Sequence, residues 1–238
     1  MVCKSRFFLE SSLLLLISFL VIFFLFPVGG QIDLNLIQPW VSSDGSFPLK
    51  GDWALAKLNH TYVKQVLTAV YLSFFVLWCA SFKIEKLKAK RWQYGYFFAV
   101  SMLCTCVIGL IKAHAAHACP WAMTTATSTG FIWNFSATAG HCFPGGHAST
   151  GFALITGFFI FRLDQKKLAW FYLFSGVVLG FAMGWAQMMR GAHFLSHNLW
   201  TAWICMAINL LCYALSYRYH LVFAQRNSVP LNSPNVLK

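Results

Sequence analysis

The sequence predicts an all-α integral membrane protein, a bundle of six transmembrane helices with its active site at the extracytoplasmic face. Three observations carry that prediction. Of the 238 residues, 58% are hydrophobic and only 10% charged, against roughly 25% charged in soluble domains. The apolar residues fall into six runs, which can be measured against the about 20 helical residues that a hydrocarbon core requires. The basic residues gather in the connections that six spans would place on one side.

The first run, about 11–29, follows Lys4 and Arg6 and contains SLLLLISFLVIFFLFPVGG. It is longer than a signal-peptide core of about 7–15 residues and no A-x-A site follows, so it reads as a retained anchor. The second run, about 65–82, and the third, about 92–111, are joined by KIEKLKAKR, Lys83 to Arg91. The fourth, about 148–163, is short and spans only if the bilayer adjusts locally. RLDQKK links it to the fifth, about 168–187, and the sixth covers about 198–216. Residues 1–225 then form a single membrane domain. The polar tail RNSVPLNSPNVLK, 226–238, has the composition of a disordered cytoplasmic segment.

A net charge of +12 would suggest nucleic acid in a soluble protein. Here Lys83–Arg91, RLDQKK, Lys4, Arg6, Arg218, Arg226 and Lys238 all fall on one side of a six-span topology. The positive-inside rule makes that side cytoplasmic, with both termini in the cytoplasm. The charge is therefore a topology signal, and neither nucleic acid nor an obligate protein partner is called for. The compact form reads as a bacterial inner-membrane protein with its site facing the periplasm.

That topology leaves about 30–64, 112–147 and 188–197 on the outer side. Into the last two fall Lys112, His114, His117, His141, His147, Arg190, His193 and His197, six of the eight histidines. Ionisable residues at membrane depth mark sites. Cys119 and Cys142 are the two cysteines of the long outer loop, and in an oxidising periplasm they can pair as a disulfide. Trp121, Trp133, Trp185 and Trp200 suit an aromatic belt beside the site.

The chain holds six acidic residues, none between Glu85 and Asp164. Carboxylate pairs or magnesium cages thus have almost no material near the histidines, and a mechanism without metal or cofactor is the economical reading. In FPGGHAS, Gly145 and Gly146 let the backbone turn and present N–H groups to an anion at the start of the fourth span. His147 at that mouth can donate a proton to a leaving oxygen. Lys112 supplies a compact positive charge, and Arg190 a bidentate fork for phosphate oxygens. His193 is a competent phosphorus nucleophile, and His197, four residues on, can orient and polarise it.

At these residues the chain resembles the type 2 phosphatidic acid phosphatase superfamily, whose membrane members carry K-x6-R-P, P-S-G-H and S-R-x5-H-x3-D. KAHAAHACP (Lys112 to Pro120), PGGH (Pro144 to His147) and AQMMRGAHFLSH (Ala186 to His197) fit the three in order. The resemblance implies a phosphohistidine intermediate, with His193 as nucleophile, His147 as general acid and Lys112 as phosphate ligand. Four positions depart from the pattern. Cys119 stands at the first-motif arginine, Gly145 at the serine, Gln187 at the third-motif arginine and His197 at the aspartate. Arg190 lies one helical turn beyond Gln187, so the lost arginine has a neighbouring replacement.

The expected activity is hydrolysis of a phosphomonoester or pyrophosphate on a membrane lipid. Candidates are phosphatidic acid, phosphatidylglycerol phosphate, an undecaprenyl phosphate or the phosphates of lipid A. The same residues would serve a lipid-to-lipid phosphotransferase. Two rivals are a zinc-dependent membrane hydrolase, built on His114 and His117 with His193 and His197, and a non-catalytic lipid-phosphate binder.

Overall fold

The computed structural model describes residues 2–228. In chain order its elements are α1 (Val2–Leu25), α2 (Gln31–Ile37), α3 (Lys64–Ala80), α4 (Glu85–Lys88) and α5 (Arg91–His114). A two-stranded hairpin, β1 (Thr124–Thr127) and β2 (Gly130–Trp133), follows. Then come α6 (Gly146–Phe152), α7 (Thr156–Phe161), α8 (Lys166–Met189) and α9 (Leu195–Ser228). Of the predicted tail, 226–228 continue α9 and the remainder lies outside the described residues.

Among the described residues five helices are long and apolar enough to cross a membrane: Arg6–Leu25, Ala54–Ala80, Arg91–His114, Lys166–Met189 and Leu195–Ser216. The second of these begins as a π-helical stretch, Ala54–Val63, that runs into α3. α1 is almost wholly exposed, with Leu9, Leu13, Leu14, Phe23 and Phe24 turned outward. Large apolar side chains so displayed are suited to hydrocarbon.

The expected fourth span, Gly146–Phe161, departs from a regular helix. At about 1.5 Å per residue it is shorter than the roughly 30 Å hydrocarbon core, and it breaks into α6, a 3-10 turn (Ala153–Ile155) and α7. It lies at the centre of the bundle, packed on α8, α5 and α9 and buried along most of its length. A break there frees backbone carbonyls that no water can reach. Tyr71 Oη on α3 donates to the Thr150 carbonyl, and Ser101 Oγ on α5 donates to the Ala153 carbonyl at 3.2 Å. Close approach of α6 and α8 needs glycine on both: a Cβ on Gly151 would lie 2.5 Å from the Gly180 backbone nitrogen. The bundle core is completed by Phe97, Cys104, Ile108, Phe152, Phe159, Met183 and Cys205.

The hairpin is absent from the all-α expectation. Thr124↔Trp133 to Thr127↔Gly130 pair antiparallel. Threonines and aromatics favour a pleated surface over a helix, and Gly130 takes φ +141 where the chain reverses. With α2 and the segment from 38 to 53, the hairpin forms a cap at one end of the bundle. Its core joins Ile37, Phe47, Ala118, Met123, Met188 and Phe194. The opposite end carries the connections 81–90 and 162–165, where Arg162 stacks on Phe7. All the candidate site residues lie between cap and bundle or at their edge.

Candidate active site

His193 lies in the turn between α8 and α9, and His197 in the first helical turn of α9, so the turn folds His193 back beside the helix start. Their Nδ1 atoms are 3.2 Å apart, and both side chains are buried. Burial first, then the charges of His197, Lys112 and His147, hold the His193 imidazole well below the usual histidine range. His193 is therefore neutral around pH 7, the state a nitrogen nucleophile needs.

The loop Cys142–Gly145 closes over this pair. The Gly145 N–H donates to the His197 carbonyl at 3.2 Å, and Thr201 Oγ1 donates to the carbonyls of both Gly145 and His197. A Cβ at Gly145 would sit 2.5 Å from Asn198 Oδ1, so any side chain here must displace the buried Asn198 amide. The Gly145 N–H, expected to face phosphate, is thus directed at α9. Gly146 opens α6 beneath Lys112: a Cβ there would meet Lys112 Cδ at 3.3 Å and Nζ at 3.9 Å. The ammonium therefore lies over the start of α6, with half-buried His147 one residue on. Lys112, Gly145, Gly146, His147, His193 and His197 are brought together.

Arg190 is turned toward the cap. Nε donates to the Lys50 carbonyl at 2.9 Å and Nη1 to Gln187 Oε1 at 3.0 Å. Two nitrogens of the fork expected to hold phosphate already have protein acceptors. Arg190 does reach back one turn onto Gln187, the residue at the family's arginine position. Lys50 in turn lies over the Trp121 ring at 4.7 Å, and the Trp121 N–H donates to the Gly191 carbonyl. Arg190 thereby fastens the segment around Lys50 to the end of α8.

Cys119 and Cys142 are joined, with Cα atoms 5.1 Å apart. Beside this link the Cys142 N–H donates to the His117 carbonyl at 3.0 Å, and His117 pairs with His141 in a backbone bridge. His117 is thereby held so that its ring centroid lies 5.1 Å from that of His197. His114 and His141 are exposed and bond to backbone carbonyls of Leu110 and Ala115. Among the described residues no group of three or more His, Cys, Asp or Glu is arranged to hold a metal ion.

Two residues absent from the sequence-derived site belong to it. One is His117, which the sequence offered as one of the outer-face histidines and through its HAAH spacing, with no role at the phosphate site. The other is Asp33 on α2. Composition suggested almost no carboxylate near the histidines, yet the Ser196 N–H donates to Asp33 Oδ1 at 2.9 Å, and the Ser196 hydroxyl and Gly29 N–H donate to Oδ2. Asp33 thus caps the first turn of α9 from a distant segment, an N-cap role met in trans. Burial raises its pKa despite these bonds. A signal existed: Asp33 is the one acid in QIDLNLI and stands four residues before Ile37, so the helix face that buries Ile37 carries it inward as well.

Neither a curated protein nor a solved structure matches the chain. A family model described as the PAP2 superfamily matches residues 91–220. That stretch runs from the start of α5 into α9 and contains Lys112, His117, His147, His193 and His197, whereas Asp33 and Lys50 precede it. Spanning more than half of the chain, this match establishes that the protein belongs to the PAP2 superfamily.

Proposed function

We propose that the protein is an integral membrane lipid phosphatase. It hydrolyses a phosphomonoester or pyrophosphate on a lipid headgroup, without metal, through a phosphohistidine on His193. The observation that carries the reading is the buried His193–His197 pair, on which the charges of Lys112 and His147 bear.

His193 Nε2 attacks phosphorus, so the N–P bond forms as the P–O bond to the lipid breaks. His147 gives its proton to the departing oxygen. Water then attacks the phosphohistidine, His147 takes a proton from it, and inorganic phosphate leaves as the N–P bond breaks. Lys112 neutralises charge on the phosphoryl oxygens in both steps. Its ammonium is held over Gly146 by the absence of a side chain there. His197 fixes the His193 ring through the Nδ1 contact. In this reading the broken helix Gly146–Phe161 is the fourth of six spans, and the cap lies on the extracytoplasmic side of a bacterial inner membrane. A lipid phosphate at headgroup depth then meets the site without leaving the bilayer.

The test is phosphate release from a panel of lipid phosphates in detergent with excess chelator. Turnover by the wild type, loss of it in His193→Ala and indifference to chelator are expected. Activity that chelation abolishes would favour a metal enzyme, and failure on every lipid would favour a binder.

A further inference from the structure

Gln187 on α8 stands where the family pattern has an arginine, and the reading above leaves it without a task. The glycines of α8 fix the level of that residue. A Cβ on Gly176 would meet Ile155, and one on Gly180 the Phe152 ring. Gly146–Phe161 therefore runs antiparallel to α8, and each turn toward the end of α8 leads one turn back toward Gly146. A Cβ on Gly184 would meet the Asn198 amide, the group that a Cβ on Gly145 would meet at 2.5 Å. Gly145 and Gly184 thus press on one side chain. Gln187, three residues on along the same face, comes level with the Gly145–Gly146 turn, over which the Lys112 ammonium lies. Its carbonyl accepts the Ala192 N–H at 2.9 Å, which ties it to the residue before His193.

The Gln187 side chain is buried, at 2% exposure. Oε1 accepts from Arg190 Nη1 at 3.0 Å, whereas Nε2 meets no acceptor among the described residues. A guanidinium donates and never accepts, so this bond fixes which end of the amide is oxygen and turns the NH2 group away from Arg190. A buried donor without an acceptor is destabilising. A phosphoryl oxygen beside Lys112 would supply that acceptor.

We propose that the Gln187 Nε2 amide is a ligand of the phosphoryl group, and that Arg190 is a positioning residue that acts through it. The proposal rests on the phosphatase reading of this site. Where the family pattern places a guanidinium, this chain places a neutral donor. The guanidinium one turn on orients and polarises that donor instead of touching phosphate. Lys112 then neutralises charge, and Gln187 adds a directional bond. Because Arg190 Nε also donates to the Lys50 carbonyl, the seating of the cap and the aim of the ligand are coupled.

The experiment uses the full chain in detergent with chelator, and inorganic phosphate as the probe, its binding read from phosphorus NMR line broadening. Gln187→Glu keeps the length of the side chain and an acceptor for Arg190 but loses the donor. Gln187→Met loses the donor without adding charge. Each is expected to weaken phosphate binding by about tenfold or more, the worth of a hydrogen bond to a charged group. Arg190→Gln is expected to weaken it severalfold in the wild type and no further in Gln187→Met, since the two residues act through one bond. Unchanged phosphate affinity in either Gln187 variant overturns the ligand, and so does a wild type that binds no phosphate. An Arg190→Gln effect of full size in the Gln187→Met background makes Arg190 itself the ligand and overturns its positioning role. An Arg190→Gln protein with wild-type affinity overturns that role as well. A wild type that binds phosphate through Gln187 yet releases none from any lipid keeps the proposal and overturns only the reading of the reaction.

Discussion

Replacing Asp33 with alanine removes a carboxylate that three donors share. The Ser196 N–H at 2.9 Å is fully buried and has no route to water once its acceptor is gone. An orphaned buried donor costs about 1–3 kcal/mol. The Gly29 N–H, also at 2.9 Å, is half-buried and can be hydrated, and the Ser196 hydroxyl can rotate to another acceptor. Against these losses stands relief of a charge whose burial raises its pKa. The balance is a destabilisation of about 2 kcal/mol, or about 4–8 °C in the thermal midpoint of a chain this size. Because Ser196 lies between His193 and His197, loosening the first turn of α9 also displaces the nucleophile. Misplacement by about 1 Å costs roughly a hundredfold in rate, so kcat is expected to fall at least severalfold in the molecules that remain folded. Asp33→Asn keeps one oxygen for the Ser196 N–H and should lie between wild type and alanine on both scales. Thermal unfolding in detergent and phosphate release per folded molecule check this. An Asp33→Ala protein with the wild-type midpoint and kcat would refute the capping argument.

Acidification supplies a second test. His193 is neutral in the folded protein well below the usual histidine range, whereas the unfolded chain takes up a proton there below about pH 6.5. The unfolded state then binds more protons, so this contribution to stability is present above about pH 6.5 and is lost as pH falls. The wild type should therefore lose thermal stability between pH 7 and 5 more steeply than His193→Gln, and parallel curves would count against a buried neutral His193. Reduction of the Cys119–Cys142 link, which closes a loop of 23 residues of separation, should cost about 3 kcal/mol. It should also lower activity, read by unfolding and turnover with and without reductant. Gly145→Ala forces its Cβ against Asn198 Oδ1, while Gly146→Ala meets only the flexible Lys112 stem. The first should abolish turnover and the second weaken it, and the reverse order would contradict the loop geometry.

Much of the bundle was legible in the sequence, because hydrophobic runs of span length report directly on the cost of exposing apolar or backbone groups. The helix Arg91–His114 begins and ends within a few residues of the expected 92–111. The irregular Gly146–Phe161 was legible only as a short run, since its break depends on Tyr71 and Ser101 reaching it from other helices. The same distinction governs the site. Lys112, His147, His193 and His197 could be found through local motif spacing. Asp33 could not, because it meets Ser196 across 163 positions of sequence. Nor could the turn of Arg190 toward Lys50, 140 positions away, or the placing of His117 beside His197 by the Cys119–Cys142 loop. Such contacts are set by which segments the cap brings down on the bundle, and no local pattern encodes them.

The claim at the centre is that the phosphoryl group passes through His193. Brief incubation with a lipid radiolabelled on its phosphate, followed by alkaline denaturation, tests it directly. Label on the protein is expected to survive base, to be released by mild acid, and to be absent from His193→Gln. Phosphate release by a wild type that never carries label, or equal label on His193→Gln, would contradict it.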